Sequence, residues 1–186
     1  MRTFDPIQAG RAYRILLQAA ANPGKLFDMP PAPDASTAEA ILLTLLDGEV
    51  TFHALGPNAP EVAERLARAT GARVAPAPEA DFVLVLGSDS GAAVLELRRG
   101  TLEAPEDGAT VVYAVGCLKV RGSLTVKLSG PGVPGERTLG VEGLDRQEVE
   151  GLRKSRASYP LGVDVYLADE AGLVAGLPRS TRLEVI

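Results

Sequence analysis

Tyr159-Pro160-Leu161-Gly162-Val163-Asp164-Val165-Tyr166-Leu167, followed after a turn by Gly176-Leu177-Pro178-Arg179-Ser180-Thr181, is the stretch around which the chain is organised. Val163, Val165 and Leu167 fall on one face of an extended strand, and Asp164 and Tyr166 on the other. Pro160 and Gly162 constrain the approach to it. Asp169-Glu170-Ala171-Gly172 predicts a hairpin turn with its glycine late in the loop. Pro178 then leads a second turn into a last strand. Arg179, Ser180 and Thr181 place an arginine beside two hydroxyls, a grouping that suits an anion. The plainer reading is a hairpin edge with a solvated arginine.

The bulk numbers narrow the function classes. The 186 residues form one domain, 1–186, long enough to bury a core without disulfides or metals. A net charge of −5 with no basic run argues against nucleic acid or a membrane surface as partner, yet leaves room for a local arginine cluster. Cys117 and His53 are the single cysteine and the single histidine. They allow neither a Cys/His metal cluster nor an internal disulfide; a carboxylate-only Mg²⁺ site stays open, and no residue is assigned as a metal ligand. A Ser–His–Asp triad would have to use His53. With a polar start, Met1 to Gln8, and no apolar run near membrane-spanning length, the chain reads as cytoplasmic.

The remaining elements follow from capping and periodicity. Asp5 and Pro6 start a helix to Ala21, with Tyr13, Leu16, Leu17 and Ala20 as its apolar stripe. Lys25 to Phe27 suits a short strand. Asp34 or Ser36 caps a helix whose segment Ala40 to Leu46 is apolar nearly all round, hence buried on more than one side or part of an interface. Glu49 to Leu55 predicts a strand with Val50, Phe52 and Ala54 on one side. Asn58 to Thr70 predicts a helix closed by Gly71, with Val62, Leu66 and Ala69 inward. Phe82 to Leu86 is a strand buried on both faces. Gly91 to Arg99 predicts a short helix, and Val111 to Val115 a strand. Ser123 to Leu128 alternates and suits pairing with the strand before it. Leu144 to Arg156 predicts a last helix with Leu144, Val149 and Leu152 inward and a basic end. The fold class is α/β: one three-layer domain, a mixed sheet of about seven strands flanked by helices.

Each polar candidate outside the C-terminal stretch has a plain alternative. Arg11 and Arg14 share a side of the first helix, solvated or reaching a ligand. His53 on its strand is structural or catalytic. Glu106 and Asp107 before Gly108 form an acidic turn, a general base or a Mg²⁺ ligand pair. In Ser129-Gly130-Pro131-Gly132-Val133-Pro134-Gly135, Gly130 and Gly132 can offer backbone N–H groups to phosphate, although no Gly-Lys-Ser/Thr follows and Gly-x-Gly-x-x-Gly is incomplete.

Several segments carry a family pattern. They are Tyr13 to Leu17 with Asn22-Pro23-Gly24; Leu42 to Asp47; Gly100-Thr101 with Pro105 to Thr110; Leu128 to Val133; and Tyr159 to Asp164 with Leu177 to Thr181. In this order they resemble PhnH, the H subunit of the bacterial carbon–phosphorus lyase system of phosphonate use. Tyr159 stands where the family pattern has phenylalanine, and Ser180 where it has threonine.

The resemblance implies a fold similar to pyridoxal-phosphate-dependent transferases without the cofactor, a homodimer, and an assembly with the G, I, J and L subunits. It implies support for making α-D-ribose 1-methylphosphonate 5-triphosphate from ATP and methylphosphonate, within a transferase-type complex in which the isolated chain can be inactive. No cofactor is expected: one cysteine cannot hold an iron–sulfur cluster, and none of the four lysines is a compelling Schiff-base candidate. The expected ligand-binding residues are Arg179, Ser180, Thr181, Arg14, Asp164, Gly130 and Gly132, taking a phosphonate or nucleotide. Two other readings stand beside this one. The first is a self-sufficient hydrolase or transferase acting on a phosphate or phosphonate through Glu106, Asp107, Asp164 or His53. The second is a scaffold that binds sister subunits through the Ala40 to Leu46 helix.

Overall fold

The computed structural model of the chain describes residues 5–91 and 93–186. Helix α1, Pro6–Ala21, starts on Asp5, whose carboxylate accepts hydrogen bonds from the backbone N–H groups of Ile7 and Gln8 at 2.9 and 3.0 Å. Strand β1, Phe27–Asp28, follows it. Helix α2 is Thr37–Leu45, strand β2 is Thr51–Leu55, and helix α3 is Ala59–Thr70, closed by Gly71. Strands β3, Arg73–Val74, β4, Phe82–Leu86, and β5, Thr110–Val115, come next. An antiparallel group then begins with β6, Cys117–Lys119, β7, Leu124–Ser129, and β8, Arg137–Glu142. Helix α4, Arg146–Ser155, leads to β9, Asp164–Asp169, β10, Leu173–Leu177, and β11, Arg182–Val185.

The strands make two sheets. The larger has seven, in the order β1-β10-β9-β5-β4-β2-β3, with β9 through β3 parallel and β10 and β1 antiparallel. The smaller is antiparallel, in the order β11-β7-β8-β6. Alternation in the central strands splits the core in two. Phe52, Leu84, Val112 and Ala168 pack with α1, α2 and α3 on one face. Val83, Val85, Val111, Tyr113, Val165 and Leu167 pack on the other against α4 and the second sheet. This is the expected three-layer α/β domain with a seven-stranded mixed sheet. Its second flank is itself largely a sheet, because β7 buries Leu124, Val126 and Leu128 while Thr125 and Lys127 stay half-exposed.

Four local expectations change. The buried face of α1 is Ala12, Leu16 and Ala19, while Tyr13 and Leu17 are half exposed. The helix crosses β10 so closely that a Cβ on Gly176 would stand 2.5 Å from the Ala19 carbonyl oxygen, a contact that only small residues permit. In α3, Ala59 and Ala63 are buried beside Val62 and Leu66, and Ala69 is only half-buried. The Gly91 to Arg99 segment forms a 3₁₀ turn at Ala93–Leu95, and Arg99 bridges to Gly108. Strand β7 pairs with β8 and β11 instead of with β5, since β6 intervenes and turns the chain into the second layer.

Helix α2 carries its own start signal. Ser36 Oγ accepts from Glu39 N–H at 3.2 Å, and Glu39 Oε2 accepts from Ser36 N–H at 2.8 Å. The other oxygen of buried Glu39 pairs with Arg65 of α3. Glu39→Ala removes half of the cap and the link between helices together. It is expected to lower unfolding free energy by about 2 kcal/mol in a urea titration. A midpoint equal to that of the unmodified chain would refute this.

Candidate functional site

Parallel pairing of β5 with β9 sets Thr110 beside Asp164, and so brings the Pro105–Gly108 turn to the start of β9. The hairpin partner β10 ends at Leu177, beside Val165. The chain then crosses from the first sheet to the second through Pro178 to Thr181, and β11 pairs from Arg182 with Ser129 at the end of β7. Four of the segments read from sequence therefore meet in one place.

At this junction Asp164 holds Arg179. Its carboxylate accepts from the backbone N–H of Arg179 at 2.7 Å, from Nε at 3.1 Å and from Nη2 at 2.5 Å. Arg179 Nη1 donates to the Pro105 carbonyl. Two glycines make the space. A Cβ on Gly108 would lie 2.7 Å from Arg179 Nη1 and 2.5 Å from the Gly162 carbonyl oxygen. Gly162, at φ +151°, lies against Arg156 and Arg179.

Arg156 is the second buried guanidinium. Helix α4 ends at Ser155, and the next side chain turns inward. Arg156 Nε donates to the Val163 carbonyl at 3.1 Å, and Nη2 to that of Leu177 at 2.6 Å. Burial holds its pKa down to about 10, with Asp164 and Tyr113 opposing that and Arg179 adding to it. It is still charged at neutral pH.

Arg156 and Arg179 line a cleft of about 900 Å³, together with Arg153, Arg182, Tyr159 and Gly130. Ser180, Thr181 and the carboxylate of Glu184 complete its polar lining. Four arginines face one acid in a chain of net charge −5, so the local field opposes the global one. Arg153 is paired with Glu150 at 2.8 Å at the rim, and Tyr159 is 67% exposed there. Arg156 Nη1 and Thr181 Oγ1 are buried without a hydrogen-bond partner.

Of the residues expected to bind a ligand, Arg179, Ser180, Thr181 and Gly130 line this cleft. Asp164 is absent from its wall and is engaged by Arg179. Gly132 packs beneath the end of α1, where a Cβ would be 2.3 Å from the Ala21 carbonyl oxygen. Arg14 is exposed on α1 and donates to the Gly10 carbonyl at 3.0 Å. His53 Nδ1 lies 2.7 Å from the Ala75 carbonyl oxygen, and Glu106 and Asp107 are exposed on a 3₁₀ turn. None of these lines the cleft. Arg153, Arg156, Arg182 and Tyr159 were not foreseen as site residues. For Arg156 a signal existed: it continues the inward spacing of Val149 and Leu152, at i+3 and i+7.

Among the described residues no group of three or more His, Cys, Asp or Glu side chains is placed to hold a metal ion, and no helix is long and apolar enough to cross a membrane.

Comparison with known proteins follows the same segments. Residues 4–184 match the family described as bacterial phosphonate metabolism protein (PhnH). The putative C–P lyase subunit protein HtxG of Stutzerimonas stutzeri is 34% identical over 176 residues, which is 94% of this chain and 85% of that protein. The match reaches from α1 into β11, and the chain belongs to the PhnH family of bacterial phosphonate metabolism proteins.

Proposed function

We propose that the chain is a cytoplasmic subunit of a carbon–phosphorus lyase assembly. In this reading it supports formation of α-D-ribose 1-methylphosphonate 5-triphosphate from ATP and methylphosphonate, and it works as a homodimer with the G, I, J and L subunits. Family membership and the printed name of the Stutzerimonas relative support the assembly role. The observation that carries a ligand role for this chain is the cleft, where four arginines converge beside a glycine turn, two hydroxyl side chains and an exposed tyrosine. Arginines so placed suit phosphate or phosphonate oxygens, and a rim tyrosine suits a flat ring.

The stand-alone enzyme has less support, since Asp164 is engaged by Arg179, His53 is held at a backbone carbonyl, and Glu106 and Asp107 stand outside the cleft. Isothermal titration of the purified chain with ATP and with methylphosphonate tests the proposal. Binding of at least one ligand is expected, weakening as salt rises from 50 to 500 mM by roughly tenfold or more. Binding of neither, with tight capture of the sister subunits, would make the chain a scaffold.

A further inference from the structure

Not all of the cleft's arginines are equal. Arg179 is committed: backbone and side-chain donors together satisfy Asp164, and Nη1 is taken by Pro105. Arg153 has Glu150 at 2.8 Å and is half in solvent. Arg156 is different. Two carbonyl oxygens fix its Nε and Nη2, no carboxylate bonds to it, and its Nη1 is left without a partner although the residue is only 8% exposed. Thr181 matches it. Its backbone N–H donates to Pro178 at 2.8 Å, which sets the turn, while its hydroxyl, on a residue 3% exposed, bonds to nothing.

Buried polar groups left unpaired are rare and costly. Two such groups on residues lining one cleft, supplied by separate elements, are a coincidence that needs a reason. The charges point the same way. Arg156 brings a buried positive charge and Arg179 a largely buried one, and Asp164 supplies one negative charge. One anion would complete the count. The donors are also held in advance, so binding has little ordering entropy to overcome.

We propose that Arg156 and Thr181 form the seat for one tetrahedral oxyanion, a phosphoryl or phosphonyl head group, with Arg156 Nη1 and Thr181 Oγ1 as its donors. The seat rests on the ligand role proposed above and names the residues that carry it. Arg179 is then a positioning residue: it braces the turn that presents Thr181 and takes Asp164 away from Arg156. Arg153 and Arg182, nearer solvent, raise the local anion concentration. Whether the head group belongs to a nucleotide or to a phosphonate is decided by what fills the rest of the cleft.

Thr181→Val tests the seat with little risk to folding, because it removes a hydroxyl that makes no internal bond. The full chain is titrated with inorganic phosphate and with methylphosphonate, beside Arg153→Gln and Arg182→Gln. The expected result is a roughly tenfold loss of affinity for both probes in Thr181→Val, with an unchanged or higher melting temperature without ligand. The rim variants should lose less, and their deficit should shrink in high salt. If Thr181→Val binds as the unmodified chain does while the rim variants lose binding, the seat is wrong and the cleft stands. If the unmodified chain binds neither probe, nor ATP, the ligand role itself fails and takes the seat with it.

Discussion

Asp164→Asn should melt roughly 10 °C below the unmodified chain, a large change for a substitution that keeps size and shape. The amide can still accept the backbone N–H of Arg179, so the turn loses little geometry. What goes is the negative charge between two buried guanidiniums. Removing one partner of a buried pair costs about 3–5 kcal/mol, because the other charge stays buried and uncompensated. The side chain of Asp164 is 34% exposed and that of Arg179 13%, which places the expected cost near the lower bound, about 3 kcal/mol. In a domain of this size each kcal/mol moves the midpoint by about 2–4 °C. Differential scanning calorimetry reads the shift directly. A drop under about 2 °C would mean that water or a second acceptor already shares the Arg179 charge.

Gly108→Ala should be at least comparably damaging, by a different route. Strain in the backbone is not the reason, since Gly108 has φ −65° and alanine adopts that freely. The obstacle is crowding from two sides. The new methyl would lie 2.5 Å from the Gly162 carbonyl oxygen and 2.7 Å from Arg179 Nη1. The carbonyl belongs to backbone held at Arg99, whose oxygen accepts from Gly162 N–H at 2.9 Å. The guanidinium must therefore yield, and it loses Pro105. Overpacking of this kind costs about 1–3 kcal/mol, and the lost hydrogen bond of a charged donor adds about as much. The expected signature is a melting point lowered by roughly 8–15 °C together with weakened methylphosphonate binding. A variant of unchanged stability that keeps its affinity would show that the Gly108 contacts are loose in solution.

Much of the fold was legible because local rules and the final structure agreed. The hairpin of β9 and β10 follows from alternation and a glycine-ended turn, and β4 from an unbroken apolar run. The buried face of α1 departs from its large apolar residues because small ones sit at the contact. There the close crossing over Gly176 favours Ala12 and Ala19, and Tyr13 and Leu17 are left half exposed. Strand β8 was missed for a similar reason. Gly140 weakens its strand pattern, yet glycine is needed there because the Arg121 and Gly122 backbone passes within 2.3 Å of where a Cβ would be.

The site was legible in composition and hidden in pairing. Arg179 with its neighbouring hydroxyls was visible along the chain. Its two commitments were not: Asp164 lies 15 residues away across a hairpin, and Pro105 lies 74 residues away across parallel pairing. Arg156 was hidden by its address. A basic residue at a helix end reads as solvated, and that reading outweighs the inward spacing Arg156 shares with Val149 and Leu152.

The closure of α1 and β1 upon β10 bears on how the chain is made. Phe27 pairs with Val174, and α1 lies on the same strand, so the first helix and strand of the fold rest on one of its last strands. Helix formation in α1 is local and fast, and α2 covers part of its apolar face, but the close seat over Gly176 exists only once β10 has been made. Part of the apolar surface of α1 therefore stays uncovered until β10 follows, and the fold closes only with that strand.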